Sequence, residues 1–149
     1  MSISSVAEIA INEFVEACKE KFGEDLISIV LFGSYARGNF KESSDVDLLV
    51  IAKNLPGNVF ERDKLMEEIV WNILKKRHIK ISPILVEPEE IKIHAKWPNP
   101  LFYGILLGYR ILFGNEFFEE VMKVVKERIM EKDPIYIEGG KEWRLIKLI

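Results

Sequence analysis

Two short pieces of this chain carry side chains able to do chemistry, at a spacing that brings them together. An apolar run ends at Gly33-Ser34, ten residues follow, and Asp45-Val46-Asp47 opens the next run, reading LFGSYARGNFKESSDVDLLVI over 31–51. Side chains alternate along a strand, so Asp45 and Asp47 share a face, about 7 Å apart along it. Two such charges repel unless something positive lies between them. A hard divalent cation such as Mg²⁺ is held by one or two carboxylates together with substrate phosphates. Gly33 permits a tight turn and close backbone approach. Ser34 adds a hydroxyl and an N–H, and a helical turn over 34–38 would aim free N–H groups into the same space, an anion site. Arg37 adds a forked guanidinium for phosphate oxygens. One loop for phosphate and the next strand for metal equip a chain for metal-assisted phosphoryl or nucleotidyl transfer.

Either half alone is an ordinary turn or strand cap. The joint spacing is another matter, because 9 Gly, 8 Ser and 5 Asp in 149 residues produce it by chance in on the order of one in a few thousand chains. Both motif carboxylates are Asp, although 19 of the 24 acidic residues are Glu.

The elements that must position these residues follow from periodicity. Val6, Ile9, Ala10, Phe14, Ala17, Cys18 and Phe22 recur at helical spacing, predicting a helix over 5–22 with Ser5 and Glu8 as its capping box. Cys18 falls on the apolar face as a core residue. Strands are expected over 26–32, 45–52 and 79–86, the last carrying Pro83 and so at an edge or bulge. Leu55-Pro56-Gly57-Asn58 is a turn. A long helix is expected over 59–77, with Trp71 in its core face or margin and Lys75, Lys76 and Arg77 as a solvated basic end. Pro88 opens a short helix to about 96, and Trp97-Pro98-Asn99-Pro100 is a loop whose Trp97 packs locally. A helix over 101–107, a short strand over 110–113 and a helix over 116–131 capped by Asn115 complete the pattern. His78 and His94 lack partners at ligand spacing and read as a helix end and a surface residue. The expected fold is α+β, a small mixed sheet flanked by helices, with one domain over 1–132 and a C-terminal extension of it over 133–149. The terminal EWRLIKLI is amphipathic or strand-like, able to close the domain or to pair with a second chain.

Composition narrows the partners. The chain carries 21 Lys+Arg against 24 Asp+Glu, a net charge of −3, without the basic excess of a protein that grips a long nucleic acid. Its single cysteine, Cys18, excludes an internal disulfide framework and points to a reducing compartment. No apolar stretch approaches a membrane span and the first residues carry no secretory pattern, so a cytoplasmic location is expected. The absence of Gln and Thr, beside abundant Lys, Glu and Ile, is the bias of a thermophile.

GSYARG with SDVDLLV closely resembles the signature of the DNA polymerase beta-like nucleotidyltransferase superfamily, and among its branches the minimal nucleotidyltransferases of prokaryotes. The resemblance is strong over 27–52 and weaker through NPLFYGILLGYRILFGNE at 99–116. It implies an α+β nucleotidyltransferase fold that binds ATP or another NTP with two Mg²⁺, the triphosphate at Gly33 and Ser34, and the metals at Asp45 and Asp47 as catalytic residues. It further implies a separately encoded helical partner of the HEPN type, with the chain as an antitoxin. Active members carry a third carboxylate on a later strand, which aligns here with Ser82; Glu87, just beyond, sits several residues out of place. Transfer of AMP to a protein or small-molecule acceptor is therefore the leading expectation. A nucleotide-binding or partner-binding module without turnover is the rival, and a vestigial dimer module the third reading. A homo-oligomer stays open.

Overall fold

The computed structural model describes residues 3–97 and 99–149. Its centre is a four-stranded mixed sheet. Strands β1 (Leu26–Phe32) and β2 (Val46–Ala52) pair antiparallel in the middle, β3 (Ile81–Val86) lies parallel to β2, and β4 (Arg110–Phe113) lies antiparallel to β1, giving the order β3-β2-β1-β4. Pro83, which lacks an N–H, therefore sits on an edge strand, where no ladder bond is lost on its outer side.

Helices α1 (Ile3–Phe22) and α3 (Val59–Arg77) cover one sheet face. The other is covered by α4 (Pro88–Lys96), α5 (Pro100–Leu106) and α6 (Asn115–Lys132), while the five-residue α2 (Gly33–Arg37) joins β1 to the sheet's end. The alternation of β2 divides the two cores. Val46, Leu48, Val50 and Ala52 point to α1 and α3; Leu49 and Ile51 point to the C-terminal helices. Asp47 has the parity of Leu49 and Ile51, so it belongs to the face that the C-terminal half of the chain covers. The last residues form a hairpin, β5 (Ile135–Glu138) and β6 (Lys141–Arg144), followed by a 3₁₀ turn whose Leu145 is fully buried in that second core. Among the described residues no helix is long and apolar enough to cross a membrane.

Several local expectations are corrected. Among the described residues the first helix already includes Ile3 and Ser4, so Ser5 lies within it and does not start it with Glu8. Glu8 instead accepts from Arg110 at the start of β4, at 2.8 and 3.0 Å. Asn115 is the first residue of α6, whose cap is Gly114. Trp71 is 57% exposed and not in the core. The basic end of α3 is not simply solvated, because Arg77 and Lys76 both pair with Glu13 of α1 and fasten the two helices together. Asn58 caps α3 by accepting from the Phe60 N–H at 2.8 Å. His78 ends that helix in the left-handed conformation, and His94 is exposed, its ring nitrogen 3.1 Å from the Asn99 amide. Cys18 is fully buried, and burial pushes its thiol up to about 12, as a core residue requires. In the loop after α4, Trp97 is largely exposed and its one described ring contact is the Arg128 guanidinium, 5.9 Å from its centre; Pro98 lies outside the described residues.

Arg62 is a structural feature with no sequence signal. It is only 6% exposed, and its Nε donates to the Pro56 carbonyl while Nη1 donates to Glu90 Oε1, both at 2.6 Å. Glu87 completes the pairing at 3.7 Å. The group ties α3, the turn before it and the start of α4 into one corner. Arg62→Ala leaves the partly buried Pro56 carbonyl unpaired and two acids facing each other. Because those acids stay partly hydrated, the expected cost is about 2 kcal/mol rather than the larger loss of a fully buried pair. Urea unfolding at unchanged m-value measures it.

Candidate functional site

The two segments singled out by sequence meet at one end of the sheet. β1 ends at Phe32, and Phe32 pairs with Asp47 across the antiparallel ladder. The chain therefore turns into α2 directly beside that carboxylate. Gly33 makes the turn with φ +76°, and a Cβ built there would sit 2.2 Å from Asp47 Oδ2. Only a residue without a side chain lets the carboxylate rest against the backbone. The helical turn expected after Gly33 is present, and it closes at Gly38, whose N–H bonds to the Ser34 carbonyl; Asn39 N donates to the same oxygen at 3.1 Å. The first amides of such a turn have no partner within it. The connection back to β2 is braced by a stacked pair, Tyr35 on Phe40 at 4.3 Å, and by Ser44, whose Oγ accepts from Lys41 N.

Asp45 precedes β2 by one residue instead of opening it, and its orientation is fixed from β3. Ser82 Oγ donates to Asp45 Oδ2 at 3.1 Å and Lys80 Nζ lies 3.7 Å from the same oxygen. Asp47 and Ser82 are register partners. Ser82 thus stands level with Asp47 on the neighbouring strand, at the position that the sequence resemblance aligns with a third carboxylate. Glu87 cannot replace it: β2 and β3 run parallel, so five residues further along places it roughly 16 Å towards the other end of the sheet, where it faces Arg62.

Asp47 carries the electrostatic mark of the site. Burial first, and the neighbouring Asp45 second, push its carboxyl above the usual range; Arg37 opposes this and Glu138 adds to it. Arg37 is also held by Glu138, Nη2 to Oε2 at 3.4 Å. The C-terminal hairpin therefore reaches the site, which the sequence did not disclose. The Gly139-Gly140 pair between two alternating segments was a local signal for the hairpin. Nothing local showed that it would fold back on Arg37.

Two aligned carboxylates with insufficient compensating charge suit a hard divalent cation, which takes oxygen donors. Among the described residues no group of three or more His, Cys, Asp and Glu could hold a metal by itself. The donor set fits an ion that completes its coordination with oxygens of a second ligand, and α2 with Arg37 is the place for an anionic one.

Gly33→Ala tests this geometry. The obstacle to the new methyl is the end of a side chain, so Asp47 can swing aside and the protein stays folded at a cost of about 1–2 kcal/mol for the left-handed backbone. The carboxylate is then misplaced, and a 1 Å error in such a group costs about a hundredfold in rate. A variant that melts near the wild type yet keeps full divalent-ion-dependent binding contradicts the close packing of Gly33 on Asp47.

Comparison with known proteins agrees with the geometry. A family model described as nucleotidyltransferase domain matches residues 11–142. A Methanocaldococcus jannaschii protein named "Putative protein adenylyltransferase MJ1305" is 49% identical over 140 residues, 93% of this chain and 94% of that protein. Among solved structures, a spectinomycin adenyltransferase from Enterococcus faecialis with ATP and spectinomycin superposes at TM-score 0.57 and 17% identity, over 85% of this chain and 65% of that one. A toxin-antitoxin structure with AMP-PNP superposes at TM-score 0.51 and 18% identity, over 81% and 90%.

Proposed function

Because this chain belongs to the nucleotidyltransferase-domain family, we propose that it transfers a nucleoside monophosphate, AMP from ATP, to a hydroxyl of a protein or small-molecule acceptor. The observation that carries this reading is the contact between the phosphate-loop glycine and the second aspartate, which joins the Gly33–Arg37 turn and the Asp45–Asp47 pair into one site. Asp45 and Asp47 would hold Mg²⁺, with two ions accommodated when the triphosphate supplies the remaining oxygens; bound there, the metal neutralises charge on the phosphates. Gly33 and Ser34 position the triphosphate through backbone amides and the Ser34 hydroxyl, and Arg37 pairs with its oxygens. The acceptor oxygen bonds to the α phosphorus, the bond to the β-phosphate oxygen breaks, pyrophosphate leaves in line, and the hydroxyl proton passes to solvent. In this reading residues 1–132 form the nucleotidyltransferase domain and 133–149 complete it.

The name of the Methanocaldococcus jannaschii relative supports adenylyl transfer to protein; the acceptor in this reading is a separately encoded helical partner of the HEPN type, as the sequence resemblance implies, and the solved structure of similar fold named as a toxin-antitoxin is in keeping with it. The test is incubation of the full chain with Mg²⁺ and ATP labelled at the α or the γ phosphate, alongside the protein encoded next to it. Label entering the partner from the α position only supports the proposal. Intact ATP binding with no transfer to that protein or to any small hydroxyl acceptor overturns it.

Ser82 favours a second reading, a module that binds nucleotide or partner without turnover, since a neutral hydroxyl stands at Asp47's level on β3. Ser82→Asp decides between them. If Ser82 marks a missing ligand, the variant gains transfer activity and tightens the apparent Mg²⁺ requirement by about tenfold, the scale on which groups around a metal tune it. If the wild type is complete as it stands, the added charge beside Asp45 lowers activity.

A further inference from the structure

A cavity of about 340 Å³ opens beside the candidate phosphate turn. That volume is at the lower end of small-molecule sites. One wall is Arg37 and Asn39, the other is Glu138, Lys141 and Trp143 of the hairpin, and Leu107 closes the end. The cavity is continuous with the turn, because Asn39 N is bonded to the Ser34 carbonyl and Arg37 reaches from the last turn of α2 to Glu138. Its lining is mixed: beside the cations Arg37 and Lys141 it sets a half-buried indole and aliphatic side chains together with an amide and a carboxylate, the equipment for a flat aromatic ring with hydrogen-bonding edges next to phosphate oxygens.

The indole is held in place before any ligand arrives. Trp143 pairs with Tyr136 across the hairpin, their rings 6.0 Å apart, and Tyr136 meets Tyr103 of α5 edge to face at 5.8 Å. Below it Arg144 is paired with Asp133 at the hairpin base, Leu145 N donates to the Pro134 carbonyl at 3.2 Å, and Leu145 itself is fully buried. A platform ordered in advance loses little freedom on binding.

We propose that this cavity receives the nucleoside of a triphosphate whose phosphates lie at Gly33-Ser34, the base stacking on Trp143, so that the C-terminal hairpin is the base-recognition element of the chain. The inference rests on the nucleotidyltransferase reading above. The wide indole face favours a purine over a pyrimidine, and Glu138 and Asn39 are placed to meet an exocyclic amino group at the ring edge.

The experiment uses the full chain carrying Trp71→Phe and Trp97→Phe, both at exposed positions of 57% and 67%, which leaves Trp143 as its single tryptophan. In Mg²⁺ buffer it is titrated with ATP and, separately, with inorganic tripolyphosphate. ATP is expected to quench the Trp143 emission to saturation and tripolyphosphate to bind without that quench. Calorimetry on Trp143→Leu is expected to show ATP affinity lowered roughly tenfold or more, the worth of one stacked base, with tripolyphosphate affinity unchanged. ATP binding that leaves Trp143 emission untouched overturns this inference and leaves the transferase reading standing. So does equal weakening of ATP and tripolyphosphate. Failure of the single-tryptophan chain to bind either ligand overturns both.

Discussion

Asp47→Asn is expected to lower the proposed transfer roughly a thousandfold and at the same time to raise the melting temperature of the unliganded protein. The loss of activity follows from the role proposed for the carboxylate. A metal-held phosphoryl group draws several kcal/mol from its ion, and about 1.4 kcal/mol is a factor of ten in rate, so removing one of two protein ligands is expected to cost roughly a thousandfold. The gain in stability follows from burial and from Asp45, which push the Asp47 carboxyl upward in the fold. Its unfolded value is that of an ordinary aspartate, ~3.9. Between that value and the raised folded one, the folded state binds more protons than the unfolded state, and stability therefore falls as pH rises through the window. Above the window the wild type carries the whole penalty of an ionised Asp47, which an asparagine of the same shape avoids. Below the unfolded value both proteins are neutral at this position and the difference disappears. Differential scanning calorimetry at pH 7.5 and near pH 3 checks both statements. Added Mg²⁺ with a triphosphate should raise the wild-type transition by mass action and leave the variant's nearly unmoved. An Asn variant that melts below the wild type at pH 7.5 removes the electrostatic account of the site.

Gly114→Ala is expected to cost roughly 2–5 kcal/mol of stability for a single added methyl group. The backbone at Gly114 is left-handed, φ +73°, and a Cβ there would lie 1.9 Å from the Ile27 carbonyl oxygen and 3.0 Å from Ser28 Cα. The left-handed conformation costs an alanine about 1–2 kcal/mol and overpacking adds about 1–3 kcal/mol more. What decides the size is the nature of the obstacle. At Gly33 the methyl meets the free end of a carboxylate, which can rotate. At Gly114 it meets the main chain of β1, held between β2 and β4, at the place where the pairing with β2 skips Ile27. The buried Ser28 hydroxyl closes the junction, donating to the Phe113 carbonyl at 2.9 Å and standing 3.2 Å from that of Gly114. Neither strand nor helix can retreat without losing those bonds. Denaturant unfolding of the variant measures the loss. The contrast with Gly33→Ala, expected to lose only about 1–2 kcal/mol of stability but about a hundredfold in rate, separates a glycine needed for the fold from one needed for the site.

Local rules located most of the elements because each is written in a few consecutive residues. The Leu55-Pro56-Gly57-Asn58 turn before α3, Pro88 at the first turn of α4 and Pro83 on an edge strand all act through backbone groups next to them in sequence. The misplacements have the same origin. Ser5-Glu8 and Asn115 satisfy the pattern of a cap, yet α1 continues two residues further back, where Glu8 is instead drawn to Arg110, 102 residues away. Trp71, read as a core or margin residue of its helix, is exposed, since Glu67, Glu68 and Lys75 at its helical spacing put it outside the apolar stripe of Met66, Ile69, Val70 and Ile73.

For the candidate site the division is sharper. Gly33, Ser34, Asp45 and Asp47 were legible because their chemistry needs particular residue types at a spacing that two adjacent strands preserve, and alternation alone puts both carboxylates on one face. The sequence also carries the neutral Ser82 at the position that the resemblance aligns with a third carboxylate, since residue types can be read without a fold. Which C-terminal residues meet those carboxylates was decided by tertiary structure alone. Asp47 shares its face with Leu49 and Ile51, that face is covered by the second half of the chain, and the hairpin that ends this half turns Glu138 towards Arg37 and Trp143 into the cavity beside it. No sequence spacing encodes a meeting between residues about a hundred positions apart. It results from burying Leu145 and the second core beneath the hairpin, and the hydrophobic burial that places these residues is non-directional, carrying no mark of the polar groups it brings together.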